Sequence, residues 1–290
     1  MSKIGFVGLG TMGGPMASNL LRAGHELFFY ARREPVVKQF VDAGATKCAN
    51  CADVARSADV IVTIVTADRE VEQVILGEDG IIRGGDPGKL VIDMSTIGPA
   101  TVRQVAARLE AVGMSMLDAP VSGGPSGAEQ GSLAIMVGGN ERDVLRARPV
   151  LDILGDKVFH LGPVGAGQTG KLVNQMLSGG TMALIGEAMS LAKAAGLDLT
   201  QVSDVISGSS GNSTMFSSRA QFVMDDHYPP GFKTELMRKD VALALSLAHE
   251  LHSPAPMASV ALQQYTSTVR RGDGTLDFSA VARLWEDKPG

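Results

Sequence analysis

The sequence predicts an α/β protein in which a doubly wound, mainly parallel sheet fills the N-terminal part. An all-helical C-terminal domain follows, joined to it through one long helix. Three observations predict this. A β-type run at residues 3–7 passes into Gly8, Gly10, Gly13 and Gly14 and then into apolar residues at helical spacing. Strand-like and helical segments alternate as far as residue 162, the pattern of parallel strands linked by crossover helices. Beyond Gly167 the β-type segments cease and helical periodicities take over. At 290 residues the chain exceeds the usual single domain, so the expected division is a sheet domain over residues 1–162 and a helical domain over 163–290.

Element by element, residues 3–7 read as the first strand, and a helix over residues 16–23 ends at Gly24. A second strand covers residues 26–30. Residues 60–65 form an unbroken apolar and β-branched run, as suits a strand buried on both faces. A helix over 68–76 and a strand over 90–93 follow, then a helix over 99–112 opened by Pro99, whose missing N–H costs little in a first turn. Residues 114–118, 134–137 and 158–161 complete the strand-like set. The later helices cover 171–195, with a start near Gly167, then 199–207, 215–224, 234–251 and 256–270. No internal repeat or low-complexity tract interrupts them.

The apolar fraction of 44% and charged fraction of 20% are those of a globular protein. A net charge of −5 and the lack of a Lys/Arg run argue against nucleic acid as the partner. The chain enters its first strand at once, without a signal-peptide pattern, so a cytoplasmic location is expected. Its most apolar window, residues 176–195, is interrupted by Gly179, Gly180, Gly186, Glu187 and Lys193 and reads as a buried helix, not a membrane span. Cys48 and Cys51 form a C-x-x-C pair, but nothing completes a metal site around them. Two reduced thiols beside a small helix are expected, and no metal.

Gly8-Leu9-Gly10-Thr11-Met12-Gly13 lies between a strand and a helix, the setting in which G-x-G-x-x-G binds a dinucleotide. This Rossmann-like arrangement directs the free N–H groups of the helix at a pyrophosphate. The second strand ends in Arg32 and Arg33, where an NAD enzyme usually has an acid on the ribose diol. Guanidinium groups suit a 2′-phosphate, so NADP is the expected cofactor, with NAD possible through the neighbouring Glu34. Ligands of such a sheet sit at the carboxyl ends of its strands. That gathers Val65 and Thr66, Ser95 and Thr96, and the segment from Asp118 to Gly124 around one crevice. In a helix starting near Gly167, Lys171, Asn174 and Gln175 project from one face near its N-terminus.

With these motifs in order, the chain resembles the β-hydroxyacid dehydrogenase family over essentially its full length. The residues that carry the resemblance are Gly8 to Ala17, Asp118-Ala119-Pro120-Val121-Ser122-Gly123-Gly124, Gly165-Ala166-Gly167 leading to Lys171, and Lys239-Asp240. The resemblance implies that Lys171 is the general acid–base and that Ser122, Gly123 and Gly124 hold a substrate carboxylate. It implies that Thr96 lies near the nicotinamide and that Phe232, Lys239 and Asp240 close over the site. Dimers or tetramers are also implied. Many members carry Asn four residues after the lysine; here that place is Gln175, with Asn174 at three, and both are candidates.

The implied reaction passes hydride between nicotinamide and the carbonyl of a short carboxylate, as in a 3-hydroxy acid dehydrogenase or semialdehyde reductase. An ammonium near the carbonyl oxygen stabilises the developing alkoxide and protonates it; in reverse, neutral lysine takes the proton, which requires a pKa below the ordinary ~10.4. Imine reductases share this architecture but usually replace the lysine. A non-catalytic nucleotide-binding relative is expected to have lost Lys171 or the Ser-Gly-Gly segment, and both are present. The chain is short for the extended helical domain of 6-phosphogluconate dehydrogenase.

Overall fold

The computed structural model describes residues 2–285 and divides into two compact units between Lys171 and Leu172. The first unit runs β1 (Lys3–Val7), α1 (Gly13–Arg22), β2 (Glu26–Tyr30), α2 (Glu34–Asp42), β3 (Thr46–Lys47), α3 (Cys51–Ser57) and β4 (Val60–Thr63). It continues with α4 (Asp68–Leu76), β5 (Leu90–Asp93), α5 (Pro99–Glu110), β6 (Ser115–Asp118), β7 (Val121–Ser122), α6 (Gly124–Gln130), β8 (Ala134–Gly138), α7 (Glu141–Leu154) and β9 (Lys157–Gly162). The strand order is β3-β2-β1-β4-β5-β6-β8, with β7 and β9 also pairing β8. Pairing is parallel from β3 to β6, while β8 runs antiparallel to β6 and β7 and parallel to β9. The expected mainly parallel sheet is therefore present, and the chain reverses its direction of growth between β1 and β4, the switch point where such sheets open a ligand crevice.

Alternation along the strands divides the core in two. Ile4, Phe6, Val62, Leu90 and Ile92 face one side with α1 and α7, while Val7, Ile61 and Val91 face the other with α3 and α5. Three helices, α2, α6 and α7, were not legible in the sequence periodicity. Glu34 and Pro35 open α2 instead of a turn, with proline in the first turn, where it is tolerated. In α7, Pro149 interrupts the periodicity, yet Asn140 caps the helix by accepting the Arg142 N–H at 2.9 Å.

Cys48 and Cys51 are buried free thiols, and burial raises the Cys51 thiol to about 11, which keeps it protonated.

Helix α8 (Ala166–Ala194) begins in the first unit and continues into the second, which adds α9 (Leu199–Ser207), α10 (Thr214–Met224), α11 (Thr234–Glu250), α12 (Pro256–Arg270) and a closing 3-10 segment, Phe278–Trp285. The chain leaves β9 at Gly162, the expected boundary, but the first turn of α8 still packs with the sheet unit. The helical unit has its own core of Met182, Met189, Phe216, Met237, Val241 and Tyr265. Gly179 lets α11 approach closely: a Cβ there would stand 2.9 Å from Val241 Cγ2, and the Tyr265 hydroxyl donates to the Gly179 carbonyl at 3.0 Å. On α8 itself Val173, Leu177, Leu184 and Leu191 form an apolar stripe, each more than half exposed. No helix among the described residues is long and apolar enough to cross a membrane.

Candidate active site

The three glycines after β1 divide their work by position. Gly8 has φ +104°, and a Cβ on it would lie 2.0 Å from the Ile64 carbonyl oxygen. A Cβ on Gly13 would meet the Gly8 carbonyl oxygen at 2.0 Å, so that glycine lets α1 pack against the strand. Gly10 faces open space, with nothing within 4 Å of a Cβ. First and third glycines thus serve the fold, and the middle one leaves room for a ligand against the backbone, as a dinucleotide pyrophosphate requires. A cleft of about 410 Å³ beside this turn is lined by Leu9, Gly10, Thr11, Gly14, Ser18 and Arg33, among others. Met12 precedes α1 as its N-cap. Arg33 donates to the Leu9 carbonyl at 3.2 Å, whereas Arg32, also exposed, does not line the cleft.

At the carboxyl ends of β4, β5 and β6 lies a chain of buried polar groups. Thr63 and Ser95 hydroxyls donate to Asp93 Oδ1 at 2.6 and 2.7 Å, and the Val65 N–H donates to Ser95 Oγ at 2.9 Å. Asp93 Oδ2 is buried without a hydrogen-bond partner among the described residues. Burial lifts the Asp93 carboxyl to about 6 in spite of the two hydroxyl donors, which pull it down. Asp68 accepts from the Gly98 N–H at 2.9 Å and the Thr101 hydroxyl at 2.7 Å, so the loop bearing Val65 and Thr66 is tied to the loop bearing Thr96.

Asp118, opposite Asp93 in the β5–β6 register and fully buried, reaches the start of α8. Its Oδ1 accepts the Gly165 N–H at 2.7 Å and its Oδ2 the Gln168 N–H at 2.8 Å. Burial raises this carboxyl above its usual range, and the backbone donors oppose the rise. A carboxylate at a helix N-terminus satisfies donors that the helix cannot pair internally and complements its dipole. Close approach needs glycine here, since a Cβ on Gly167 would stand 2.4 Å from the Met136 carbonyl oxygen. Lys171 follows one turn later, 6% exposed, and is the last residue of the sheet unit.

Ser122 ends β7, and Gly123 and Gly124 follow with φ of +136° and +64°. These left-handed values favour glycine, and a Cβ on Gly124 would meet nothing within 4 Å, so its backbone is approachable. In the helical unit Gln175 is buried, donates to Asp240 Oδ2 at 2.8 Å and accepts from the Asn174 amide at 3.2 Å. Lys239 pairs with Asp240 Oδ1 at 3.2 Å. Phe232 packs edge-on to Phe278, with ring centroids 6.0 Å apart.

Sequence reasoning did not single out Gln168, Asp93 or Asp68, and it named Asp118 only as part of a motif. A signal existed: two buried strands, β5 and β6, each end in an acid, and a buried acid must find donors.

Comparison with known proteins sets this geometry in a lineage. Residues 3–162 match the NAD binding domain of 6-phosphogluconate dehydrogenase, and residues 165–285 match the NAD-binding region of NADP-dependent 3-hydroxyisobutyrate dehydrogenase. The chain belongs to the β-hydroxyacid dehydrogenase family. It is 38% identical to an NAD-dependent L-serine dehydrogenase of Pseudomonas aeruginosa over the whole of both chains. It is 35% identical to 2-hydroxy-3-oxopropionate reductase of Escherichia coli, covering 98% of this chain and 97% of that one. Among solved structures, a 3-hydroxyisobutyrate dehydrogenase of Mycobacterium tuberculosis with L-serine superposes with a TM-score of 0.91 at 34% identity, covering 99% of this chain and 100% of that one. An imine reductase of Myxococcus stipitatus shares the fold at 20% identity, with a TM-score of 0.67 over 99% of this chain and 100% of that one.

Proposed function

We propose that this family member is a nicotinamide-dependent oxidoreductase that interconverts a short hydroxy acid and its semialdehyde, with the reacting carbon at the β position, as in tartronate or methylmalonate semialdehyde, or one carbon further from the carboxylate, as in succinic semialdehyde. The observation that carries the reading is Lys171: a buried amine one turn into a helix whose start is bonded to the carboxyl ends of β5 and β6, in the unit that holds the glycine cradle. The cofactor supplies or accepts the hydride. Lys171 stabilises the developing alkoxide and moves the proton at the substrate oxygen. Ser122, with backbone N–H groups at Gly123 and Gly124, holds the carboxylate, because glycines let amides converge where a side chain would block them.

Gly8, Leu9, Gly10, Thr11, Met12 and Gly13 hold the pyrophosphate side of the cofactor, and Val65, Thr66 and Thr96 the nicotinamide side. Arg33, already seated on the glycine turn, is the residue for a 2′-phosphate, and this favours NADP; Arg32 is its secondary partner. From the helical unit, Phe232 and Asp240 are assigned to substrate and Lys239 to cofactor. Gln175 spends its amide on Asp240 and Asn174, so Asn174 is the amide offered to substrate and Gln175 its support. We also infer a cytoplasmic dimer or tetramer that covers the apolar stripe of α8.

The test is a steady-state assay with NADPH and NADH on each semialdehyde and on an aldehyde of matched length with methyl in place of carboxylate. Lys171→Ala should lower kcat by about 10²- to 10⁴-fold and leave cofactor affinity largely intact. Wild-type turnover in that variant would remove Lys171 from the mechanism. Equal kcat/KM within the aldehyde pairs would end the carboxylate assignment, and equal values for the two cofactors would end the NADP preference.

A further inference from the structure

The Gln168 side chain is fully buried and makes two bonds to one stretch of backbone: its Oε1 accepts the Ile97 N–H at 3.1 Å, and its Nε2 donates to the Ser95 carbonyl at 2.8 Å. Those two groups flank Thr96. A carbonyl at one residue and an N–H two residues on, answered by the N–H and C=O of one facing residue, is the pattern by which a parallel strand pairs with its neighbour. The side-chain amide of Gln168 thus stands in for the N–H and C=O of one strand residue and continues the sheet's pairing past the end of β5. Its own backbone N–H meanwhile donates to Asp118 Oδ2 at 2.8 Å, at the end of β6. One residue therefore fastens the first turn of α8 to both strand ends.

We propose that Gln168 is a positioning residue that acts through Lys171. The two are three residues apart on one helix, hence on neighbouring positions of the same face, so the double anchor on residues 95–97 and Asp118 sets both the rotation and the advance of the turn that carries the amine. A buried apolar residue of the same length would fill the space, but it would leave the Ser95 carbonyl and the Ile97 N–H unanswered and the helix free to turn. The inference rests on the reading of Lys171 as the acid–base.

The experiment is a kinetic double-mutant cycle between Gln168→Met and Lys171→Ala, with kcat, cofactor affinity and melting temperature measured on the full chain. In the background that keeps Lys171, Gln168→Met should lower kcat by up to about 10²-fold, the scale of a misplacement near 1 Å, and shift the pH profile of kcat. In the Lys171→Ala background it should cost no further turnover, while its effect on melting persists unchanged. A kcat loss of equal size in both backgrounds, or no loss in either, would overturn the proposal and leave Gln168 a structural amide. Unreduced turnover in Lys171→Ala alone would overturn the acid–base reading itself, and this inference with it. If Gln168→Met does not fold, Gln168→Glu is read in the same cycle, since it keeps the length and one acceptor.

Discussion

The sheet unit and the helical unit each contain a fully buried carboxylate that gathers separate segments, and they hold it in different ways. Asp118 is held by backbone N–H groups at the start of α8. Asp277 accepts from the Arg219 guanidinium at 3.2 Å, from the Ser279 hydroxyl at 2.7 Å and from the Phe232 N–H at 3.2 Å, and Arg219 in turn lies over the rings of Phe222 and Phe278. Backbone amides are fixed by the fold and point in one direction, so Asp118 aims a helix. An ion pair wrapped in aromatic rings neutralises its own charge and tolerates small shifts, so Asp277 welds a loop to a terminus. The difference teaches that the sheet unit uses its buried acid for direction and the helical unit for strength.

The largest break in that comparison is expected from Asp277→Ala. It leaves a mostly buried guanidinium unpaired, and breaking such a pair costs about 3–5 kcal/mol. Denaturant unfolding should register the loss; an unfolding free energy equal to that of the wild type would reverse the roles assigned to the two acids. Next comes Asp93→Asn. Burial lifts the folded carboxyl to about 6 from an ordinary value of 3.8, so the native state binds the proton more tightly than the unfolded chain. The wild type therefore loses stability as pH rises from 3.8 towards 6, by up to about 3 kcal/mol for a shift of this size. Because asparagine does not titrate, the stability of the variant relative to wild type should climb between pH ~4 and ~7. A gap that stays constant across thermal melts at those pH values would show that Asp93 is not strained.

The smallest effect on stability is expected from Asp118→Asn, about 1–3 kcal/mol, since one backbone N–H keeps its acceptor and the other loses it. Turnover should fall all the same, by about tenfold or more, because the turn that leads to Lys171 loses an anchor. Paired measurements of melting and kcat would test this; an unchanged kcat would place Asp118 with Asp277 as an architectural weld.

Much of the sheet unit was legible because buried parallel strands write themselves as apolar runs: residues 3–7, 26–30 and 90–93 are read with their true limits. The glycine turn was legible for the same kind of reason, since its geometry admits few residues. Helices α2 and α7 were obscured by Pro35 and Pro149, which are permitted where they stand but disturb a periodic reading. At the candidate site, Lys171 and the Ser122-Gly123-Gly124 turn were proposed from residue type and order. Gln168, Asp93 and Asp68 were not, because their importance lies in partners 73, 30 and 33 residues away. A glutamine whose amide takes the place of a strand residue leaves no mark in spacing or charge. Between Arg32 and Arg33 the sequence held no choice; in the structure Arg33 donates to the Leu9 carbonyl of the glycine turn.

The sheet ends at β3, two exposed residues paired to Phe28 and Phe29 of β2, and one of the two is Lys47. So short a border, with a charge on it, gives another chain almost no ladder to copy. Backbone association along that rim is thereby discouraged.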